Sequence, residues 1–543
     1  MISMTATIRR KSFQRFFFLL WFFVFVYVII VNAYVVDDAY ITFRTIDNFV
    51  NGYGLRWNID ERVQVYTHPL WMLVMSFFYF LTSEMFYTSI VVSLVICLCT
   101  ITIASYSFTK RFKTDFWRPT LLLIGLIASK AFVDYTSSGL ENALSYFLCI
   151  LFYSKFLLTD KPPNHFGRRD LGWLFFIASL AFINRHDTLL LYAPALVYVT
   201  FFHLTKWKWK YISLVLVATL PASIWIIFSL FYYGFLVPNT AYAKVIGADF
   251  PASWRILRGL QYLWNSFQWD IAIYIMLIAA IGLSLKRRSR KALVSVAGVF
   301  LYITYVVVIG GSATHMSGRF FAVPLFLTIL ILVEEMVYSR FAFVVSLLLI
   351  FYIIWIPGSA IKFGTPFLRP YQHNRNYIDT KLYAYSEGAA LINWRPYRKL
   401  PDNEWYHYGE KIREEKTKVH VGGAVHGRQA IGYFGFAAGP DVFIVDLVAL
   451  GDPLLARMPA MMPDEMDQWK SGHFNRHIPD GYIQSVERGE NLISDPYVHQ
   501  YYDIIRNITR GPIFSSSRLE HIWKINLGKY DYLIERQRYP TNH

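Results

Sequence analysis

Residues 16–44 read FFFLLWFFVFVYVIIVNAYVVDDAYITFR. From Phe16 to Val36 there is no charged side chain, and a helix over that stretch is long enough to cross a hydrocarbon core of ~30 Å. Two adjacent carboxylates, Asp37 and Asp38, then follow directly, with Arg44 one helical turn or two beyond. Further apolar runs, such as Ile212 to Phe231 and Phe341 to Ile356, recur through the first two-thirds of the 543 residues. Over the whole chain 55% of residues are hydrophobic, 18% aromatic and only 17% charged, where soluble proteins carry nearer a quarter charged. The chain reads as a polytopic α-helical membrane protein, and soluble enzyme folds are excluded for its N-terminal part.

Lys and Arg outnumber Asp and Glu by 53 to 37. Nucleic-acid binding would gather that surplus on one face or tail, yet it falls in short clusters between apolar runs. These are Arg9 to Arg15, Lys110 to Lys113, Lys161 to Arg169, Lys206 to Lys210 and Lys286 to Lys291. Such clusters mark cytoplasmic loops. The basic start is followed by no small-residue cleavage site and reads as a retained signal anchor. Cys97, Cys99 and Cys149 all lie in apolar runs and form no disulfide or metal pattern.

The positive charge orients the chain. Residues 68–81 are apolar and helical but short for a span, and counting them as one would put the Lys110 cluster outside. They are expected as an amphipathic surface helix within a first external loop, 37–84. The expected spans are then 16–36, 85–108, 119–134, 140–158, 171–184, 188–204, 211–232, 268–285, 292–310, 321–338 and 341–357. This gives about eleven transmembrane helices, a cytoplasmic N-terminus and an external C-terminus. Cytoplasmic connections hold 20 Lys and Arg, against eight in the longer external connections through Arg319. The domains are 1–357 in the membrane and 358–543 as an external α/β domain. In the latter a helix is expected over about 375–394, with β pieces at 419–423, 442–445 and 530–534. Glycines 422, 423, 427, 432, 435 and 439 mark turns, and no G-x-G-x-x-G fingerprint for a dinucleotide is present.

Ionisable residues at a membrane edge are costly and need a reason. Besides Asp37-Asp38, the expected outer ends carry T-H-P-L-W at 67–71, S-G-L-E at 138–141, N-R-H-D at 184–187, P-N-T-A-Y-A-K at 238–244 and the 310–319 stretch with His315 and Arg319. Each admits a local explanation: a Ser138–Glu141 capping box, helix-start chemistry at Thr67-Pro69, an Arg185–Asp187 pair, or an Arg319 that snorkels. Jointly they describe a cleft on one face. Arg185, Arg319 and Lys244 suit a phosphate, the acids suit deprotonation of a hydroxyl, and the apolar surroundings suit a lipid tail. In the outer domain, His473 and His477 are spaced to share a helix face, and nothing in the spacing demands a metal.

D-D-A-Y-I-T-F-R at 37–44, G-Y-G-L-R-W-N at 52–58 and Y-T-H-P-L-W at 66–71 together resemble the GT-C superfamily of polyprenyl-phosphate-dependent glycosyltransferases, and within it the AftB-type arabinofuranosyltransferases. T-S-S-G-L-E-N at 136–142, N-R-H-D, P-N-T-A-Y-A-K, H-M-S-G-R-F-F at 315–321 and I-V-D-L-V-A-L-G-D-P-L-L-A-R-M-P at 444–459 continue the likeness over almost the whole chain. The resemblance implies a GT-C fold, with Asp37 or Asp38 as the catalytic carboxylate and Asp37 preferred. It implies donor-phosphate contacts from Arg185, Arg319, Lys244, His68 and His315, and substrate positioning by Arg44, Glu141, Asn239 and Tyr66. The expected donor is decaprenylphosphoryl-arabinofuranose or a near relative, with no other cofactor required and a divalent metal left open. His68 and His186 depart from the residues expected in such relatives. A composition rich in Phe, Tyr, Ile and Lys points away from an arabinan-walled bacterium, so the expected acceptors are a type IV pilin or a cell-surface glycan in the periplasm, reached from the inner membrane. A transporter of lipid-linked sugar is the rival class, but it would place its charges near the bilayer midplane and in repeated halves.

Overall fold

The computed structural model describes residues 2–113, 115–203, 209–246, 251–311, 318–336, 338–356, 359–362, 381, 388–422, 430–461 and 472–538. It is a helical membrane protein. Among the described residues, four helices are long and apolar enough to cross a membrane: α1 (Ile2–Val31, from Lys11), α4 (Phe86–Arg111), α10 (Trp209–Tyr232, from Tyr211) and α14 (Arg290–Val308). Two further candidates are broken. α5 (Trp117–Ile127) turns by 82° into α6 (Lys130–Thr136), and α12 (Ala252–Trp269) turns by 98° into α13 (Ile271–Lys286). The expected straight span at 119–134 is therefore bent. Asp270, at the second break, explains how the two breaks coexist: its carboxylate accepts from Ser129 Oγ at 2.7 Å and from the Ala131 amide at 3.0 Å, capping the first turn of α6. The remaining apolar segments form α7 (Asn142–Phe156), α8 (Arg168–Asn184), α9 (Leu189–His203), α15 (Ala322–Glu335) and α16 (Ser339–Trp355), which pack with the rest into one continuous core. Large apolar side chains on the outer flanks, such as Phe23, Val95, Ile227 and Phe351, stay exposed, as lipid-facing residues must.

The first helix ends earlier than its hydropathy suggests. Asn32 turns its amide onto the carbonyls of Val28 and Ala360, at 2.7 and 2.9 Å, and receives Lys381 Nζ at 2.8 Å. Residues 32–36 are non-helical, and Asp37 and Asp38 open a new helix, α2 (Asp37–Val50). The carboxylates thus sit in a first helical turn, where exposed amides and the helix dipole favour negative charge. They do not lie at the end of the first span. The apolar stretch after His68 forms α3 (Pro69–Thr82), packed beside α2.

Beyond the bundle, α17 (Glu404–Glu414), α18 (Tyr433–Ala438), α19 (Tyr482–Arg488), α20 (Pro496–Arg510), α21 (Ser516–Asn526) and α22 (Tyr532–Arg538) surround a small sheet. β1 (Val419–Gly422) lies parallel to β2 (Phe443–Asp446), with Val419 opposite Phe443. The third expected β piece, 530–534, is helical from Tyr532, because the adjacent apolar pair Leu533 and Ile534 is buried whole against a helical neighbour instead of alternating in and out. The 375–394 helix expectation lies mostly outside the described residues; of its C-terminal part, Leu391–Asn393 form a single 3₁₀ turn. The described residues between 419 and 534 and the loop after α2 share a second apolar core around Trp57, Ile444, Val445, Leu454 and Ile505.

Candidate active site

The two turns that begin α2 and α7 are built against each other. The Val36 amide donates to the Ser138 carbonyl at 3.0 Å, and Trp71 Nε1 donates to the Gly139 carbonyl at 2.9 Å. Gly139 has φ of +80°, and a Cβ there would stand 2.8 Å from Val35 and 2.9 Å from Ala39. Only glycine fits that crossing. It delivers Glu141, the residue before α7, into the interior.

The expected Ser138–Glu141 capping box does not form: neither side chain caps α7. Glu141 is instead the centre of a charge cluster. Its carboxylate receives Arg185 Nη1 at 2.8 Å, Arg319 Nη2 at 3.1 Å on both oxygens, and His68 Nδ1 at 3.3 Å. Arg185 also holds Asp187 through Nε and Nη2, at 2.7 and 2.8 Å, and lies 4.3 Å from the centre of the Phe320 ring. The local Arg185–Asp187 pair is therefore real, and it is part of a larger network. Burial pushes the His68 pKa down to about 4, and the fields of Arg319 and Arg185 act in the same sense against Glu141. Its Nε2 is hydrogen-bonded to the Thr42 hydroxyl of α2, 2.9 Å away, and its Nδ1 lies between Glu141 at 3.3 Å and the Thr67 hydroxyl at 3.4 Å.

The acidic pair joins this cluster from α2. Asp37 Oδ1 accepts the Tyr433 amide at 2.7 Å, fixing the carboxylate against the start of α18. A Cβ on Gly432 would fall 1.9 Å from the Asp37 carbonyl oxygen, so that approach also demands glycine. Asp38 exerts its charge on both His68 and Lys244, and Lys244 also feels Arg319 and Arg185. Lys244 is exposed to solvent, its stem packed beside Gly472. Asp37, Asp38, His68, Glu141, Arg185, Lys244 and Arg319 thus converge from six segments of chain. His315 lies outside the described residues.

Three expected substrate-positioning residues are structural instead. Arg44 is buried, and its guanidinium donates to the carbonyls of Trp57 (2.8 Å), Val442 (2.7 Å) and Gly435, with Trp57 stacked against it. Asn239 donates to the carbonyls of Ala449, Leu450 and Asp452 at 3.0–3.1 Å and accepts from Arg457 at 3.0 Å. Tyr66 is buried with its hydroxyl 2.7 Å from that of Tyr233. All three have their polar atoms engaged with scaffold, for the physical reason that a buried donor must be paired. The stretch 444–459 is the bearing on which Asn239 sits. Asp446 caps Val448 and Gly451, Asp452 caps Leu454 and Leu455, and burial lifts both carboxyls to about 6. His473 and His477 lie on an irregular segment, not a shared helix face. Among the described residues no group of His, Cys, Asp and Glu could hold a metal ion.

No family model matches the chain. Its sequence is 26% identical over 266 residues to a terminal β-(1→2)-arabinofuranosyltransferase of Mycobacterium tuberculosis. It is 25% identical over 335 residues to the protein of that name in Corynebacterium glutamicum. The chain resembles arabinofuranosyltransferases. These matches cover 47% and 55% of this chain and 41% and 47% of the relatives, so less than half of either relative's length is matched. Among solved structures, ArnT from Cupriavidus metallidurans bound to undecaprenyl phosphate overlaps 80% of this chain and 86% of that chain, with a TM-score of 0.49 and 12% identity. That overlap is too loose to carry the fold or the chemistry.

Proposed function

We propose that this chain is a GT-C-type membrane glycosyltransferase that moves D-arabinofuranose from a polyprenyl-phosphate donor to a hydroxyl on a periplasmic acceptor, a type IV pilin or a cell-surface glycan. The observation that carries the proposal is an acidic pair at a helix N-terminus whose field reaches a Glu141-centred cluster of two arginines and a neutral histidine, with Lys244 in the field of Asp38 and both arginines. In this reading one carboxylate of the pair takes the proton from the acceptor hydroxyl as its oxygen bonds to the anomeric carbon, and the bond to the phosphate oxygen breaks. Asp37 is the first choice because the Tyr433 amide fixes its orientation. Polyprenyl phosphate leaves as a dianion, met by Lys244 and Arg319. Arg185, with three nitrogens already donating to Glu141 and Asp187, orients the cluster. Retention of configuration would instead need a carboxylate as nucleophile.

The enzyme sits in the inner membrane with its N-terminus cytoplasmic and its C-terminal domain periplasmic, an assignment supported by the basic clusters. The charges gather where several helices begin, which favours a transferase over a transporter of lipid-linked sugar. The deciding experiment offers the full chain, in nanodiscs, synthetic decaprenyl phosphates carrying arabinofuranose, galactose or mannose, with purified pilin or cell-surface glycan as acceptor. Transfer of arabinose well above the other two is expected. Preferred transfer of a hexose would keep the fold assignment and refute the sugar. No transfer from any donor, with the same chain in sealed proteoliposomes moving donor across the membrane, would establish the transporter.

A further inference from the structure

The C-terminal domain carries an apolar surface of its own where it meets the membrane bundle. Arg518 of α21 is fully buried, and its guanidinium donates to the carbonyls of Phe231 and Tyr232, the last residues of α10, each at 2.9 Å. Asn526 of the same helix donates to the Gly234 carbonyl at 2.8 Å. These bonds satisfy acceptors that the end of α10 would otherwise leave open, and they fix α21 at the level where that candidate span stops. Ile513 and Phe514, just before α21, join Ile224, Ile227, Phe228, Phe231 and Tyr232 of α10 around an almost wholly apolar groove of about 420 Å³. The Phe514 ring packs on Phe231 at 5.4 Å and is otherwise 80% exposed.

The exposed apolar surface continues along α21. Leu519, Trp523 and Leu527 recur every fourth residue, so they form one stripe, and Trp523 is 68% exposed. The neighbouring face, with Arg518 and Ile522, is buried. The stripe is flanked by the paired Glu520 and Lys524, and by the exposed Lys529. In water, a helix facing its tryptophan outward beside an open apolar groove would be costly. Trp with flanking Lys is the combination that settles at a bilayer's headgroup level.

We propose that Phe514, Leu519, Trp523 and Leu527 dip into the bilayer surface beside the end of α10, with lipid acyl chains filling the groove between α10 and the Phe514 loop. The occupant is lipid because the groove is continuous with the flank of α10, where Ile224 and Ile227 are exposed on a helix fit to cross the membrane. The C-terminal domain is then held to the membrane at two levels, by its polar bonds to the bundle and by this wedge. The proposal stands apart from the reaction assigned above.

The test places a nitroxide on the full chain in nanodiscs. A Cys99→Ser background removes the exposed native thiol, and labels are attached in Trp523→Cys, Leu527→Cys and, as a water-facing comparison in the same domain, Glu487→Cys. At 523 and 527, collisions with dissolved oxygen should exceed those with a water-soluble nickel complex several-fold, with the reverse at 487. Labels at 523 and 527 as open to nickel as the one at 487 would overturn the proposal. So would labels shielded from both reagents in a particle containing two chains, which would make the occupant a second copy. Because both labelled side chains are exposed, unchanged thermal stability is expected and separates a misfolded variant from a negative result.

Discussion

Arg44 and Arg319 are both membrane-edge arginines that the sequence marks as candidates for chemistry, yet they end on different kinds of partner. Arg44 meets carbonyls of the chain itself, from the α2 loop, from within α18 and from just beyond it. Arg319 meets a carboxylate that is shared with Arg185 and His68. A guanidinium whose three nitrogens donate to backbone carbonyls is a fixed strut with its donors already spent. A guanidinium in a carboxylate cluster keeps charge that an arriving anion can redistribute. The partner, not the residue type, separates scaffold from site, and Asn239 with Arg457 falls on the scaffold side for the same reason.

This contrast can be broken experimentally. Arg44→Met should cost about 3–5 kcal/mol of stability, since it strands several buried carbonyls. A lower melting temperature and loss of monodisperse protein in detergent would show it, whereas a stable variant with altered donor affinity would move Arg44 into the site. Glu141→Gln should fold but transfer sugar about 100-fold more slowly, because Arg185 and Arg319 lose the anion that orients them. If its activity were unchanged while stability fell, the cluster would be scaffold as well.

His68 supplies the most specific effect, confined to a window of pH. Its folded pKa of about 4 lies below the usual 6.5, so its contribution to stability is complete above about pH 6.5 and is lost as pH falls towards 4. Buried carboxyls raised above their usual range, Glu61 at about 7 with Asp446 and Asp452 at about 6, act in the opposite sense, favouring the fold as pH falls. The difference between wild type and His68→Gln removes those shared terms. Wild type should lose stability relative to the variant between pH 6.5 and 4, by up to about 3 kcal/mol. A parallel pair of curves would mean that His68 titrates normally.

The membrane character, a helix at 69–82 and both strands of the sheet were legible in hydropathy and residue type, because those features depend on local pattern. That Glu141, Arg185 and Arg319 share one side of the chain was legible too, though not that they meet His68. What the sequence concealed was long-range pairing. Nothing near Asp37 announces the Tyr433 amide almost four hundred residues away. Glu141 is a candidate for substrate positioning that a local capping box explains equally well, and nothing beside it announces His68, Arg185 and Arg319 around its carboxylate. The break after Asn32 was hidden for the same reason, since its cause is a side-chain contact with Ala360 and Lys381, not a change in hydropathy.

The most direct test of the central claim is transfer of labelled arabinofuranose from synthetic decaprenyl phosphate by the full chain in nanodiscs, comparing wild type with Asp37→Asn and Asp38→Asn at matched thermal stability. At least one variant, Asp37→Asn first, should fall by about 1,000-fold, within the range expected for removing a positioned general base. Full activity in both variants would contradict the assignment of the acidic pair as the catalytic centre.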